Sequence, residues 1–399
     1  MEIFKNTNFD FLGKKWPFII ASLVLTAAGI GSLIVKGGPR YGIDFKGGTV
    51  TTVRFQNSVS EDQIRVALSA KIPGEIVVQR DTTTNDVLIS TELRDEKALD
   101  AARQLVVDTL SSNFGGGVAG KIDLSNVGSA KIADELRGPV AASMNEQQVQ
   151  DLSKAITTFR DTQKRGLLGN IDSLSGVNGV SPQVLSVLKE KAYVAPYQVR
   201  GFDLVGPKVG AELRSQALNA TLLALAGMLV YIAFRFEFIY GLAAVIAVFH
   251  DTIITIGLFS IFDKEISLTV IAALLTLVGF SMNDTIVVFD RIRENLPMMR
   301  KEKFDTVVNA SINQTLSRTL LTSGLTFITA VSLWLFGGAV LNGFSFALVV
   351  GIIVGTYSSI FIASPILIWW RDWMEARRSN TTPTAGAAPV AAAKAKSVK

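Results

Sequence analysis

The chain has 399 residues, 49% hydrophobic and only 18% charged, with a formal net charge of +5 and a mean hydropathy of +0.37. Soluble chains carry about 25% charge, so this deficit, gathered into six long apolar stretches, excludes a purely soluble enzyme, a disordered chain and a fibrous one. With no cysteine, disulfides, Cys-ligated zinc, iron–sulfur clusters and thiol chemistry are excluded, and the lone histidine, His250, argues against a multi-His metal site.

Residues 1–15 read as a cytoplasmic N-terminus and 16–36 as the first membrane helix, Lys14 and Lys15 preceding the apolar run Trp16–Val35. Crossing a bilayer takes roughly 20 apolar residues. The run exceeds a signal-peptide h-region of roughly 7–15 residues and no small-x-small site follows it, so retention is expected. Five further spans are predicted at Ala217–Phe234, Phe238–Phe262, Ile266–Phe289, Thr319–Phe336 and Phe344–Trp370, a bundle over 217–370. Lysine and arginine in short loops set orientation. Lys5, Lys14 and Lys15, then Arg235, then Arg291, Arg293, Arg300, Lys301 and Lys303, then Arg371, Arg377 and Arg378 all fall on one side. That side is read as the cytoplasm, with both termini there. Segment 37–216 then lies in a bacterial periplasm, and the chain is a multi-pass protein of the cytoplasmic (inner) membrane.

The 37–216 segment reads as an α+β, ferredoxin-like domain. Strands are expected at Thr49–Phe55, Glu75–Arg80, Asp86–Thr91 and Tyr197–Leu204. Ser60 and Gln63 form a capping box opening a helix over Glu61–Ala70. A second helix, Asp95–Ser112, carries Leu99, Ala102, Leu105, Val106 and Leu110 on its apolar face. An additional segment, 114–195, begins with glycines at 115–117 and reads as helical over Glu146–Thr162 and Pro182–Lys191. Residues 371–399 form a cytoplasmic tail, disordered from about residue 380 because Ala, Pro, Thr and Lys bury no core.

Ionisable groups inside a span cost a few kcal/mol or more and mark function by default. His250 and Asp251 lie near the middle of the third span. Asp284, beside Asn283, lies in the fourth, and Arg318 opens the fifth at comparable depth, making an Asp284–Arg318 pair feasible. Burial favours a neutral carboxyl and a nearby guanidinium an ionised one, so moving the arginine away and back would load and expel a proton. The alternatives are a static ion pair or an arginine that snorkels to the headgroups, and for His250–Asp251 a hydrogen-bonded packing pair. Gly351 and Gly355 form a GxxxG helix-contact motif in the sixth span, and Gly279 and Pro365 are sites where helices bend. Ser311–Arg318 (SINQTLSR) reads as an interfacial helix. No P-loop, serine triad or HExxH is present, so no enzyme signature appears.

Several motifs then resemble one family. Gly42–Thr49 (GIDFKGGT) is similar to the GIDFxGG signature that follows the first helix of SecD and SecF proteins. Val205–Arg214 (VGPKVGAELR), Ala233–Glu237 (AFRFE) and His250–Gly257 (HDTIITIG) are similar to motifs of the same proteins. Ser281–Asn295 (SMNDTIVVFDRIREN), Ser311–Thr319 and Gly351–Pro365 (GIIVGTYSSIFIASP) resemble SecF rather than SecD. The resemblance covers roughly 10–113 and 197–372. It implies one half of a resistance-nodulation-division-like architecture that works with a separate SecD chain and the SecYEG channel, and with YajC and YidC as further partners. It also implies use of the proton-motive force to promote late translocation and release of unfolded polypeptide. Asp284 and Arg318 fall at the family's proton-relay positions, with Asn283, His250 and Asp251 as further relay or support residues. No cofactor, metal or nucleic acid is implied. Segment 114–195 is longer than the compact domain the resemblance leads one to expect.

Gly42, Asp44, Gly47 and Gly48 read as a tight junction where the chain leaves the membrane, with Asp44 orienting the turn, and Gly206, Pro207 and Gly210 as the matching junction on its return. A hinge role there requires two domain orientations. Two other functions compete: a scaffold for SecD that conducts no protons, and half of a proton-coupled exporter. The discriminator is whether neutralising Asp284 abolishes function while the complex still assembles.

Overall fold

The computed structural model describes residues 7–381 except 73, 82–84, 93–97, 116, 118, 119, 141–143, 236 and 237. The expected disordered tail from 382 onward, and the Leu99 and Ala102 side chains, lie outside the described residues.

Helix α1, Lys15–Val35, is the first apolar span, and a single-turn helix α2, Ile43–Lys46, follows it. The sheet domain then opens with β1 (Gly48–Phe55), α3 (Glu61–Ser69), β2 (Ile76–Arg80), β3 (Asp86–Glu92) and α4 (Ala98–Phe114). Ser60 and Gln63 cap α3 reciprocally, closing two of the donors a helix start leaves open. Next come β4 (Ile122–Asp123), α5 (Ser129–Arg137), α6 (Glu146–Thr158) with a π-turn over Phe159–Gln163, α7 (Pro182–Lys191), β5 (Ala192–Tyr193) and β6 (Tyr197–Val205).

Strands β2-β3-β1-β6 form one antiparallel sheet. With α3 and α4 this is the complete split βαβ arrangement, in which β6 supplies the last strand. Alternation along β1 and β3 turns Val53, Phe55, Val87 and Ile89 toward Ile64, Leu68, Val106 and Leu110, forming one core. Segment 115–196 is inserted between α4 and β6 and folds around its own core, which includes Ile132, Leu136, Ile156, Leu174, Val184 and Leu188. Helix α5 was not foreseen, because its register is short and flanked by glycine. Arg160 ties this unit together by donating to the carbonyls of Leu124 (2.9 Å) and Val127 (2.7 Å).

The remaining helices are α8 (Pro207–Arg235), α9 (Phe238–Ile261), α10 (Leu268–Met298), α11 (Phe304–Phe336), α12 (Gly338–Ser358) and α13 (Ser364–Thr381). Among the described residues, six spans are long and apolar enough to cross a membrane, α12 and α13 together making the sixth. Several bounds differ from those expected from hydropathy, α12 and α13 among them, which run from Gly338 to Thr381 rather than over Phe344–Trp370. Helix α8 begins at Pro207, within the polar motif, because proline presets the φ of a first helical residue. Helices α10 and α11 run on well past the apolar run to Met298 and from Phe304. The stretch Ser311–Arg318 is therefore not a separate interfacial helix but part of α11. Its polar groups have partners: Asn295 donates to Ser311 Oγ (2.8 Å) and Gln314 Oε1 (2.9 Å), and Arg291 Nε donates to Gln314 Oε1 (2.6 Å). Asn309 and Asn313 accept from the backbone N–H groups of Phe11 (3.0 Å) and Phe9 (2.8 Å), pinning the N-terminal segment.

The expected break at Pro365 takes the form of a π-turn, Ser359–Ala363, whose wider spacing absorbs the missing proline donor. Helix α10 continues without interruption through Gly279. Helix α9 is as buried as α10 and less buried than the sixth span. It meets α1 where Gly29 and Gly257 face each other so closely that a Cβ on either would lie 2.7 Å from the other's Cα.

Candidate functional site

Two carboxylates lie inside the bundle. Asp251 on α9 is 1% exposed and Asp284 on α10 is 2% exposed. His250, adjacent to Asp251, joins its Nδ1 to Asp251 Oδ1 at 2.9 Å, and its Nε2 meets Ser22 Oγ of α1. The other oxygen of Asp251 accepts from Ser281 Oγ of α10 (2.5 Å) and Ser358 Oγ of α12 (2.7 Å). One continuous hydrogen-bonded chain thus links four helices, and the Tyr357 ring stands edge-on to the imidazole at 6.3 Å.

Helical spacing carries the row further along α10. Ser281 and Asp284, three residues apart, share its buried face. Asp284 Oδ2 accepts from Ser323 Oγ of α11 at 2.8 Å. Gly351 and Gly355 lie on the α12 face against α10. A Cβ at Gly355 would lie 3.0 Å from the Ser281 Cβ, and one at Gly351 would press to 2.4 Å on the Leu277 methyls. Their absent side chains let α12 approach the helix that carries both acceptor contacts.

The expected direct Asp284–Arg318 pair does not form. Positions 318 and 323 are about 140° apart around a helix of 3.6 residues per turn, so the turn that aims Ser323 inward aims Arg318 outward. Arg318 is exposed on α11 and acts on Asp284 only through space. Asn283 likewise lies on the exposed face of α10. The structure therefore brings His250, Asp251 and, one helical turn from their contacts, Asp284 together, and leaves Arg318 and Asn283 outside. Sequence reasoning missed Ser22, Ser281, Ser323 and Ser358. The available signal was a hydroxyl within an apolar run, and Ser281 and Ser358 stood inside motifs already singled out.

The two junction motifs pack on each other. Gly47 has φ +81 and Gly48 φ +146; a Cβ at Gly47 would come within 2.6 Å of Pro207 Cα. Gly210 faces Gly47 N at 3.0 Å in the same sense, and its N–H donates to the Gly206 carbonyl (2.9 Å). Gly42 N donates to the Ile266 carbonyl (3.0 Å). Asp44 does not orient its own turn; its Oδ2 accepts from Leu268 N (2.8 Å) and caps α10, where a carboxylate also suits the helix dipole.

Around the junction, Arg40 bridges Glu75 of the sheet domain (2.6 Å) and Asp263 of the α9–α10 loop (2.6 Å). Lys46 reaches Glu75 (3.2 Å) and Glu92 (3.3 Å). Burial pushes Glu75 up, but the hydrogen bond from Lys46 and the charges of Arg40 and Lys46 outweigh it and hold the carboxyl below its usual range. Burial pulls Lys46 down, and Glu75 and Glu92 more than restore it. In the same loop burial raises Glu265 and lowers Lys264.

Among the described residues, no group of three or more His, Cys, Asp or Glu is placed to hold a metal ion. The arrangement in the bundle is a set of buried, hydrogen-bonded carboxylates and hydroxyls with one imidazole. Ionised carboxylates only accept hydrogen bonds, hydroxyls donate and accept, and an imidazole engaged at both nitrogens can pass a proton between them.

The model of the SecD/SecF protein export membrane protein C-terminal region matches residues 185–373, and the SecD/SecF GG motif matches residues 32–59. The protein translocase subunit SecF of Koribacter versatilis is 47% identical over 401 residues, covering 98% of each chain. This chain belongs to the SecF family. It is a protein translocase subunit and a multi-pass membrane protein. The SecF of Calditerrivibrio nitroreducens is 36% identical over 92% of this chain and 96% of its own. The crystal structure of SecDF from Thermus thermophilus, a translocon-associated membrane protein, superposes with a TM-score of 0.63 at 31% identity; it covers 92% of this chain, which spans 39% of that one. Segment 114–195 is not peculiar to this SecF, since the Koribacter alignment runs across nearly the whole of both chains.

Proposed function

We propose that this SecF, with a separate SecD chain, uses the proton-motive force to promote late translocation and release of unfolded polypeptide through SecYEG. The observation that carries the reading is that Asp251 and Asp284 are buried in the bundle, joined only to hydroxyls and one imidazole. Carboxylates in such a place are expensive and mark function by default.

In this reading Asp251, His250 and the serines form a relay, and Asp284 is the group that loads and unloads. Arg318, on the outer face of α11, modulates Asp284 when the helices shift. The sheet domain lies in the periplasm and both termini in the cytoplasm, in agreement with the Lys/Arg distribution. YajC and YidC belong to the wider assembly. One charge crossing 100 mV is worth ~2.3 kcal/mol, enough to bias a two-state bundle.

The test is a pulse-chase export assay in cells depleted of native SecF. Wild type and Asp284→Asn are compared with and without a protonophore, with SecD pull-down in parallel. A variant that binds SecD but exports no better than depleted cells supports the reading. A variant that exports like wild type and keeps protonophore sensitivity removes Asp284 from the path and leaves the chain a scaffold.

A further inference from the structure

Away from the buried carboxylates, α8, α9 and α10 enclose a cavity of about 390 Å³. Its walls are almost wholly apolar, with Leu225 and Met228 on α8, Val248 on α9, and Leu274 and Met282 on α10. The α8 wall runs from Arg214 to Leu229, about 22 Å at 1.5 Å per residue. That is a long, narrow slot extending from the junction end past the middle of a hydrocarbon layer roughly 30 Å thick. Helix α8 closes it loosely, with Leu218, Leu222 and Leu223 exposed on its flank.

The mouth has different chemistry. Arg214 lies on the last polar turn of α8 before the apolar run, exposed, with its guanidinium 4.9 Å from the centre of the Tyr41 ring. It makes no ion pair with a described residue.

We propose that this slot binds one acyl chain of an anionic phospholipid, whose phosphate is held by Arg214. The slot has the depth and apolarity for a hydrocarbon chain, and the cation sits where a headgroup would lie. A guanidinium matches phosphate with two parallel hydrogen bonds, and the Tyr41 ring beneath it is an aromatic of the type that settles at headgroup level. A polypeptide fits poorly, because the walls offer almost nothing to pair with its backbone N–H and C=O groups, each costly when unpaired in hydrocarbon. A chain seated against Val248 and Met282 also seals water from the flank of the helices that carry Asp251 and Asp284.

The experiment uses the full chain in phosphatidylcholine nanodiscs containing phosphatidylglycerol with a photoreactive acyl chain. Illumination is carried out with and without an added apolar peptide, and labelled peptides are then mapped by mass spectrometry. Labelling is expected to concentrate on the slot faces of α8 and α10. Leu225→Trp or Met228→Trp, which fill the slot from the loosely packed helix, should each reduce it about tenfold. Arg214→Gln should reduce slot labelling by phosphatidylglycerol more than that by a phosphatidylcholine probe. Uniform labelling of all exposed spans, or labelling indifferent to both tryptophans in correctly assembled protein, overturns the site. Slot labelling equal for the two lipids overturns the choice of an anionic lipid, and displacement by the peptide overturns the choice of occupant. None of these outcomes bears on the proton reading, which the Asp284→Asn assay tests separately.

Discussion

The sheet domain and the membrane bundle each bury acidic side chains, and they satisfy them differently. In the sheet domain Asp86 meets Arg54 through two hydrogen bonds, of 2.5 and 2.9 Å, with both side chains only about a tenth exposed. In the bundle Asp284 has a single serine hydroxyl, and Asp251 has two hydroxyls and an imidazole. The first arrangement cancels charge by charge. The second supplies hydrogen bonds with no lysine or arginine of the described residues in direct contact. A buried acid with a cationic partner is an architectural pairing, and one held by hydroxyls is a candidate for function.

The strongest way to break this comparison is to neutralise each kind of acid. Asp251→Asn and Asp284→Asn should reduce export to the level of cells lacking the chain, with SecD capture intact. A pulse-chase assay with parallel pull-down reads both, and retained export in either variant would place that acid with Asp86. Removing the cation from the structural pair is expected to do the converse. Arg54→Ala leaves Asp86 with the longer contact from Arg200 (3.4 Å) in place of its bidentate partner and should cost ~2–3 kcal/mol, seen as weaker protection of the sheet domain in hydrogen exchange.

Two smaller effects sharpen the contrast. Gly257→Leu forces α1 and α9 apart where Gly29 leaves no room. It should cost ~1–3 kcal/mol and separate Ser22 from His250, lowering export in proportion to the lost thermal stability. The least disruptive test is pH. Glu75, held below its usual range, contributes stability above the carboxyl's unfolded value that is lost as pH falls through its folded value. The contact of the sheet domain with the α9–α10 loop should therefore loosen below about pH 4, seen as faster proteolysis near Arg40. Glu75→Gln should flatten that dependence.

Much of the fold was legible because its signals are local. Apolar length marks spans, alternation marks strands, and the Ser60–Gln63 box marks a helix start. The helix ends were less legible: hydropathy reports where the bilayer stops, whereas α10 and α11 continue beyond it on pairings such as Asn295 with Ser311. The site was half legible. Burial cost alone singled out His250, Asp251 and Asp284, because a charge in an apolar run is conspicuous in one dimension. Depth along the chain also suggested Arg318 as Asp284's partner, but depth does not specify azimuth.

The amino-acid sequence by itself determined the class of protein, the number of spans, the α+β character of the domain between the first two, and the acids that do not belong in lipid. Each of these follows from composition or periodicity within a single element. Only the tertiary structure decided which groups those acids and His250 meet: Ser22, Ser281, Ser323 and Ser358 come from four different helices. It also decided that Arg318 turns outward and that Asp44 caps a distant helix. Rotation of a helix about its axis is set by what packs against every face at once, and Gly29 against Gly257 or Gly355 against Ser281 fixes it only when both partners are present.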